Sequence, residues 1–472
     1  MTIFRMTSSA TLVLGLLIVS TACRGQAQDS SGQGWRTASP AEVGLDPAPL
    51  DRLREDAAAG RFNHLHAILI AKNGQLVFEE YYAGLDAETL QYTASVSKSV
   101  GSILLGIAME QGLIPGVEQG FLHTTLAELM PEQSSLLSED SRKSQIRLDH
   151  VLSMSGGLEW DETSLPYSDS DNDWIRASQA DDPIGFALAR PVVADPGTEF
   201  NYHGVYSIFP SYLIQRDVGV SAETFAARHL FAPLGISEWE WETIENGLTD
   251  TDGGLHLRPR DMLKLGQLYL DGGVWSGDRI VSDSWVDAST RTWIVNEGMP
   301  DYCLLWWCGE FNYGDSTAYT FFASGHGGQK IFVFPAFEIV IVVTQQVFDN
   351  GYGEVNNIGI LSRYVLPSVD PTPASTPIAL GPEALAKFSG EYGDPNQPGS
   401  MISIAADAGR LVASAEGQPT IELFPRDSTR FVGSVLDLFD VTFEFETDVA
   451  GEVRGMTATW GFTTSTGRKV GP

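Results

Sequence analysis

The sequence is poor in positive charge. It has 29 Lys and Arg residues against 61 Asp and Glu residues, a formal net charge of -32 at pH 7 over 472 residues. A chain this acidic repels the phosphates of nucleic acids and the surface of anionic membranes. We therefore expect no nucleic-acid partner and interpret the acidity as favouring solubility.

Long apolar runs are also scarce. Near the N-terminus an apolar stretch extends from about Leu12 to Val19 and then gives way to small residues. It is well short of the roughly 20 residues that a membrane-spanning helix needs. The pattern predicts a signal peptide over residues 1–27 and no transmembrane helix, hence an exported protein that is periplasmic, attached to the cell envelope or extracellular.

The end of this segment leaves two outcomes open. The tetrapeptide STAC, which ends at Cys23, is similar to a lipobox, although Ser20 stands where an aliphatic residue is usual. A lipid anchor on Cys23 would tether the protein to a membrane. Cleavage after Ala27 would instead release a soluble chain.

Cysteine is rare as well, with three in the chain. Besides Cys23 these are Cys303 and Cys308, in the segment YCLLWWCGE. In one extended strand the two thiols would lie on opposite faces and roughly 17 Å apart. They could pair only if the chain turned between them, so we expect two buried free thiols, with a local disulfide as the alternative.

What the sequence does have is organised into two parts, the first over residues 40–367. A β-rich segment from His64 to Tyr82 surrounds Asn73-Gly74, the strongest short signal for a hairpin. A second pair of β-rich runs flanks Pro335, and the run after this proline is so apolar that we expect it at the centre of a sheet.

The pattern between these two pairs is helical. Apolar residues at helical spacing predict one helix that begins near Ser95 and another that contains Met262 and is entered through the segment LRPRD. Strands at both ends of a region with helices between them predict an α+β fold. We expect an antiparallel sheet flanked by helices, with an all-helical insert.

The second part follows a change of composition. Residues 368–382 are rich in proline and predict a semi-rigid linker. Residues 383–472 form short β-rich segments separated by Gly, Pro and Asp turns, which predicts a small all-β barrel or sandwich. This part carries no catalytic set that we can identify, so it could shape the substrate cleft, bind a neighbour or only stabilise the fold.

The segment YTASVSKSVGSILLGIAMEQG places Ser95 and Lys98 three residues apart at the start of the first predicted helix. Residues at this spacing share a helix face and can touch. A serine hydroxyl needs a base within hydrogen-bond reach to become a nucleophile, and burial would lower the pKa of Lys98 and make it such a base. The bland alternative is a helix N-cap serine followed by a solvated lysine.

Further segments accompany this pair in order. Tyr202 begins a YxG triplet after PGTEFN, and His326, Gly327 and Gly328 open a predicted strand in GHGGQKIFVFP. Together with RLDHVLSMSGGLEWDE and RPRDMLKLGQLYLDGG they resemble the serine β-lactamase-like, penicillin-recognising hydrolases. That group includes class C β-lactamases, DD-peptidases, family VIII carboxylesterases and 6-aminohexanoate-dimer hydrolases. The resemblance covers about Gly60 to Pro367.

The resemblance implies a role for each matching residue. Ser95 would be the acylated nucleophile, Lys98 would activate it, and Tyr202 would pass the proton to the leaving group and later help activate water. His326 to Gly328 would face the substrate from a strand edge. The backbone N–H groups of Ser95 and Gln329 would form the oxyanion hole. A tight turn is the alternative for the HGG segment, and a core tyrosine for Tyr202.

The chain departs from the family pattern at two positions. Gly204 stands where β-lactamases and DD-peptidases carry Asn, and His326 stands where they carry Lys. A neutral imidazole holds a substrate carboxylate less firmly than an ammonium does. Both changes favour a carboxylesterase or amidase acting on a small-molecule ester or amide, closest in look to the carboxylesterase and 6-aminohexanoate-dimer hydrolase branches. The alternatives are a β-lactamase or DD-peptidase with the same machinery, and a catalytically silent cell-wall binding protein.

Other motifs give weaker evidence of function. No GxSxG occurs, which excludes an α/β-hydrolase nucleophile elbow. Asp169, Asp171 and Asp173 imitate the start of a calcium loop, but Trp174 takes the position that requires glycine. The two histidines of the HLH at residues 64–66 have no third ligand in view. We expect no metal and no cofactor.

Overall fold

The structure is a computed structural model. It describes residues 34–296, 299–314, 316–348, 352–370, 378–393, 401–407, 410–415, 420–435 and 439–470. The predicted signal peptide with Cys23 and Ala27 lies outside these residues, as do residues 371–377 of the predicted linker. Within the described ranges, every helix is too short or too polar to span a bilayer.

The strands of the first part form one large sheet and two small ones. They are β1 Leu65–Lys72, β2 Gln75–Tyr81, β3 Gln91–Tyr92, β4 Glu240–Trp241, β5 Leu255–Leu257, β6 Val274–Trp275, β7 Asp278–Arg279, β8 Asp301–Tyr302, β9 Trp307–Tyr313, β10 Ser316–Gly325, β11 Gln329–Phe334 and β12 Ile339–Gln345. The large sheet is antiparallel with the order β2-β1-β12-β11-β10-β9-β8.

Local chemistry explains the predicted strands. Asn73 and Gly74 have φ of 52° and 69° between Lys72 and its partner Gln75, which is the left-handed pair that a two-residue hairpin requires. Every residue of β12 is buried because the strand lies between β1 and β11 with a hydrophobic core on each face. The predicted hairpin and the predicted central strand are both confirmed.

Helices cover both faces of the sheet. The helices of the first part are α1 Pro47–Ala58, α2 Val96–Glu110, α3 Leu126–Leu129, α4 Ser134–Leu137, α5 Leu148–Leu152, α6 Asp173–Ser178, α7 Pro183–Leu188, α8 Gly204–Ser207, α9 Phe209–Val218, α10 Ala222–Ala226, α11 Pro259–Leu270, α12 Asp283–Thr290, α13 Tyr352–Ile360 and α14 Leu366–Val369, and α15 Pro382–Ala386 belongs to the C-terminal part. The predicted α+β class and its helical insert are confirmed.

Two helices explain where the site lies. Every residue of α2 from Val96 to Met109 is buried, so this helix runs through the core between the sheet and the insert. Helix α11 packs on β1, β11 and β12 from the same side. A cleft opens at the start of α2, beside the end of β10 and the turn that leads into β11.

The C-terminal part is a closed antiparallel barrel with its own core, as the sequence predicts. Its strands are β13 Gly390–Gly393, β14 Ile402–Asp407, β15 Arg410–Ala415, β16 Ile421–Pro425, β17 Arg430–Val435, β18 Phe439–Thr447, β19 Val453–Trp460 and β20 Thr463–Val470. Among the described strands of this barrel, closure leaves no unpaired sheet edge.

The expectation of two free thiols is wrong. Cys303 and Cys308 form a disulfide, with their Cα atoms 6.2 Å apart. The chain turns between β8 and β9 through Leu305, whose φ is 59°, and this brings Tyr302 opposite Trp307. The extended-strand geometry behind the expectation does not apply to a segment that folds back on itself.

Candidate active site

Ser95 stands at the entrance of α2 on a tight, anchored turn. The preceding Ala94 has φ of 49°, a left-handed conformation that is uncommon outside glycine. Thr93 fixes the turn by donating its N–H and its hydroxyl to the Leu255 carbonyl, at 2.9 and 2.7 Å. Gly325 lets β10 approach, because a Cβ there would lie 2.2 Å from the Thr93 carbonyl oxygen.

The geometry of the Ser95–Lys98 pair does not match the alternative, a helix N-cap serine followed by a solvated lysine. Ser95 is the N-cap residue by position, but its hydroxyl makes no capping hydrogen bond, and it lines the cleft. The Lys98 side chain is 2% exposed rather than solvated. Its Nζ lies 3.2 Å from Ser95 Oγ.

The ammonium of Lys98 has three acceptors for its three protons. Nζ donates to Ser95 Oγ, to the Asp252 carbonyl oxygen at 3.0 Å and to the Asp252 carboxylate, with which it forms a buried ion pair. Asp252 is held in turn by the Ser207 hydroxyl, which donates to the same carboxylate oxygen at 2.7 Å. Because Lys98 donates to Ser95, the proton of the Ser95 hydroxyl must point elsewhere.

This pairing corrects one expectation. Burial is the largest single influence and disfavours the charged ammonium, but the charge and hydrogen bond of Asp252, together with the electrostatic effects of Tyr202 and Glu162, outweigh it and raise the pKa of Lys98 above its usual value. Lys98 is therefore a cation in the resting structure and not the neutral base that burial alone would produce. Its charge can stabilise negative charge that develops on Ser95 Oγ.

Tyr202 completes the group that the sequence predicts. Lys98 Nζ lies 5.0 Å from the centre of the Tyr202 ring. Burial raises the pKa of Tyr202, while the Lys98 charge and a hydrogen bond with the Ser95 hydroxyl act to lower it. The phenol is thus a neutral neighbour of Ser95 and is placed to exchange a proton with it.

Gly204 leaves space that another segment fills. A Cβ at this position would lie 2.9 Å from Glu162 Oε2 and 2.7 Å from the Trp174 ring. The Gly204 N–H donates to that carboxylate, as does Trp160 Nε1 at 2.6 Å, and Tyr167 Oη donates to the other oxygen at 3.1 Å. Glu162 and Trp174 therefore fill the space that a side chain at position 204 would need.

Two carboxyls near Lys98 have perturbed acidity. Burial, together with the charge of Asp252, raises the pKa of Glu162 to about 7. The same two causes raise the pKa of Asp250 to about 7. Sequence reasoning missed Glu162, Asp250 and Asp252, although Glu162 lies in the matched block GLEWDE and the two aspartates directly precede GGLHLRPRD.

The HGG segment differs from the expectation. His326, Gly327 and Gly328 do not begin a strand but form the turn between β10 and β11, with φ of 85° and 95° at the two glycines. A Cβ at Gly327 would lie 2.7 Å from the Phe348 ring. The turn still faces Ser95 across the cleft, and His326 stacks on Phe348 with ring centres 5.2 Å apart.

Gln329 begins β11 directly after this turn and is 3% exposed. Its side chain is turned away from the cleft, where it donates to the Gln345 carbonyl oxygen and accepts from the Gln345 N–H at 3.4 Å. Any contact of Gln329 with a substrate would therefore be made by its backbone.

Four of the predicted residues line one cleft of about 520 Å³, namely Ser95, Tyr202, His326 and Gly328. Lys98 lies beneath Ser95, and a second cleft of about 680 Å³ reaches Ser95 from the side of Glu162, Asp250 and Asp252. Such a site can acylate a serine: it combines an accessible hydroxyl, a buried cation beneath it and a phenol beside it.

The motifs set aside for metals have other partners. Asp173 forms an ion pair with Arg190 at 2.7 Å and belongs to α6. His66 lies on β1, and burial lowers its pKa. No group of three or more potential metal ligands occurs among the residues that the structure describes.

Comparison with known proteins places the chain in a family. The model of the Beta-lactamase family matches residues 63–364. A 6-aminohexanoate-dimer hydrolase from Paenarthrobacter ureafaciens is 24% identical over 292 residues, which cover 58% of this chain and 71% of that protein.

Two solved structures share the fold at low identity. The octameric penicillin-binding protein homologue from Pyrococcus abyssi is 17% identical with a TM-score of 0.54, and the match covers 89% of this chain and 100% of that one. A family VIII carboxylesterase is 15% identical with a TM-score of 0.50, covering 67% of this chain and 94% of that one.

Proposed function

Since the chain belongs to the beta-lactamase family of serine hydrolases, we propose that it cleaves an ester or amide bond through an acyl-enzyme on Ser95. The observation that carries the proposal is the contact of Ser95 Oγ with the buried Lys98 ammonium at 3.2 Å, on the floor of a cleft that Tyr202 also lines. Burying a charge is costly, so an ammonium buried beneath a half-buried serine hydroxyl favours catalysis over silent binding.

The hydrogen bonds suggest how the proton moves. Ser95 Oγ attacks the substrate carbonyl carbon, and the carbonyl π electrons move onto its oxygen. The proton of Ser95 passes to the Tyr202 oxygen while Tyr202 gives its own proton to the leaving alkoxide or amine. Lys98 keeps its protons throughout, because the carboxylate of Asp252 stabilises the ammonium. The ammonium in turn stabilises the negative charge that develops on Ser95 Oγ.

In hydrolysis of the acyl-enzyme, the proton moves through Tyr202 in the opposite direction, from water to Ser95. Water takes the place of the leaving group, gives a proton to Tyr202 and attacks the acyl carbon. Ser95 leaves and recovers its proton from Tyr202. In both steps we assign the carbonyl oxygen to the backbone N–H groups of Ser95 and Gln329, the residues at the head of α2 and at the start of β11.

The charges of the cleft support a substrate without a carboxylate near the reacting bond. Penicillins and D-alanyl-D-alanine carry one, and the described lining of the cleft on the side of Glu162, Asp250 and Asp252 contains no lysine or arginine to hold it. His326 supplies no fixed positive charge in place of lysine. The 6-aminohexanoate-dimer hydrolase relative supports a small-molecule substrate.

Turnover of matched chromogenic substrates tests the proposal. We expect hydrolysis of a short p-nitrophenyl ester or the corresponding p-nitroanilide to exceed that of nitrocefin, and Ser95→Ala to abolish it. Nitrocefin hydrolysis at rates rivalling the ester would make the protein a β-lactamase. Absence of turnover on all three substrates would argue for a binding protein.

We also propose that the protein is exported. The Cys303–Cys308 disulfide supports this, because disulfides persist mainly in oxidising compartments. The signal-like segment over residues 1–27 points the same way, and a lipid on Cys23 would then decide between attachment and release. Fractionation of producing cells tests this: a protein that stays in the cytoplasm with its N-terminus intact would contradict export.

A further inference from the structure

The tip of one barrel hairpin reaches into the hydrolase domain. Strands β19 and β20 are joined by Gly461 and Phe462, with Trp460 paired to Thr463 and φ of 50° at the glycine. This is the geometry of a two-residue turn with glycine in its first central position. The turn projects the Phe462 side chain away from the barrel core and into the core on the outer face of the sheet.

Hydrogen bonds fix the hairpin tip to strand β9 of the hydrolase domain. Asn312 of β9 donates its backbone N–H and its side-chain amide to the Gly461 carbonyl oxygen, at 2.9 and 2.7 Å. The Phe462 ring then lies edge-on to Phe311 with centres 5.0 Å apart. An ion pair also joins the domains: Arg363 donates to the Asp440 carboxylate of the barrel at 2.6 Å.

Beyond the tip, aromatic rings lie nearly parallel in a row that ends at the candidate active site. Phe462 stacks on Phe322 with centres 4.7 Å apart and 25° between planes. Phe322 faces Trp307 of the neighbouring strand at 6.4 Å and 16°, and Trp307 faces Tyr202 at 6.1 Å and 15°. Lys98 Nζ lies over the last ring.

We propose that Phe462 of the C-terminal barrel is a positioning residue for Tyr202, acting through Phe322 and Trp307. The proposal rests on the role proposed for Tyr202 in acyl transfer. It gives the barrel a part in catalysis, although no barrel residue lines the cleft at Ser95 among those described.

Close packing explains how the Phe462 ring could affect the position of Tyr202. Interiors are close-packed, so a ring keeps its place only while its neighbours fill the space around it. Trp307 is half-buried and borders the open cleft, and its other aromatic neighbours, Phe200 and Tyr302, meet it at steep angles. Removing Phe462 leaves Phe332, at 5.3 Å, and Trp307 as the rings against Phe322, so Phe322 can shift toward the vacated space. Small displacements of a catalytic group can cost large factors in rate.

A graded series tests the proposal: Phe462→Leu, Phe462→Val and Phe462→Ala, with Phe424→Ala as the matched control. Phe424 is a barrel phenylalanine that is 47% exposed. The kcat for a p-nitrophenyl ester is measured per serine titrated with a fluorophosphonate, so that unfolded molecules do not count. A merely structural role would lower the number of titrated sites and leave the rate per site unchanged.

We expect kcat per titrated serine to fall in the order Leu, Val, Ala, to about one tenth in Phe462→Ala, with KM changed less than twofold and the control unaffected. A kcat per titrated serine that is the same in all three variants overturns the proposal. If Phe462→Ala does not fold, Phe462→Leu and Phe462→Val still provide the comparison.

Crystal structures of the native protein and the Phe462 variants separate this proposal from the proposed function. We expect the Trp307 and Tyr202 rings to shift or lose order in the variants. Rings that stay in place overturn the positioning role whatever the activity. A native protein that never labels at Ser95 overturns the proposed function instead.

Discussion

Asp252→Asn removes the negative charge that faces the Lys98 ammonium and keeps the shape of the side chain. The two side chains are 6% and 2% exposed, so neither charge can be compensated by solvent. An asparagine oxygen can still accept from Ser207 and Lys98, and the backbone carbonyl at 252 stays in place. The change therefore isolates the effect of the charge.

The expected magnitude follows from burial. Breaking a buried ion pair by removing one partner costs about 3–5 kcal/mol of the unfolding free energy, because an uncompensated charge remains. In the native protein the pKa of Lys98 is raised, so this group adds no pH dependence to stability between pH 7 and 10. In the variant the folded pKa of Lys98 should fall below its unfolded value, so stability should drop as pH falls from 10 to 7.

Urea unfolding at pH 7, 8, 9 and 10 measures both effects. Asp173→Asn is the matched control, because it removes a buried carboxylate that pairs with Arg190 and not with Lys98. We also expect fluorophosphonate labelling of Ser95 to slow by about 10²-fold in Asp252→Asn. A variant as stable as the native protein, with no slope between pH 7 and 10, would refute the ion pair as the feature that keeps Lys98 charged.

Further predictions concern Glu162 and the disulfide. Burial raises the pKa of Glu162 from 4.5 to about 7, so its contribution to stability is full below pH 4.5 and lost as pH rises through 7. Glu162→Gln should remove this part of the pH dependence, on the order of 3 kcal/mol in urea unfolding between pH 4.5 and 8, and the exposed Glu159→Gln should not. Replacing Cys303 and Cys308 by serine should lower the unfolding free energy by about 2 kcal/mol, the loop-closure term for so short a loop, and an unchanged thermal midpoint would contradict this.

Local signals in the sequence predicted the elements that local chemistry determines. The Asn73-Gly74 hairpin, the apolar β12 and the helix that begins after Ser95 are all present, because each depends on residues adjacent in the chain. Asp252 could not be found in this way, because its contact with Lys98 spans 154 positions.

Turns account for the expectations that were wrong. The HGG segment precedes an apolar run and was expected to begin its strand, but two glycines with positive φ make a turn there instead. The disulfide was missed because one left-handed residue, Leu305, reverses a segment whose composition is that of a strand. Side-chain identity predicts left-handed conformations poorly outside Gly, Asn and Asp.

Mass spectrometry of the protein after reaction with a fluorophosphonate tests the central claim most directly. We expect one adduct per chain, located by peptide mapping on Ser95; it should be absent in Ser95→Ala and form more slowly in Tyr202→Phe. An unmodified mass, or an adduct on any other residue, would contradict the assignment of Ser95 as the nucleophile.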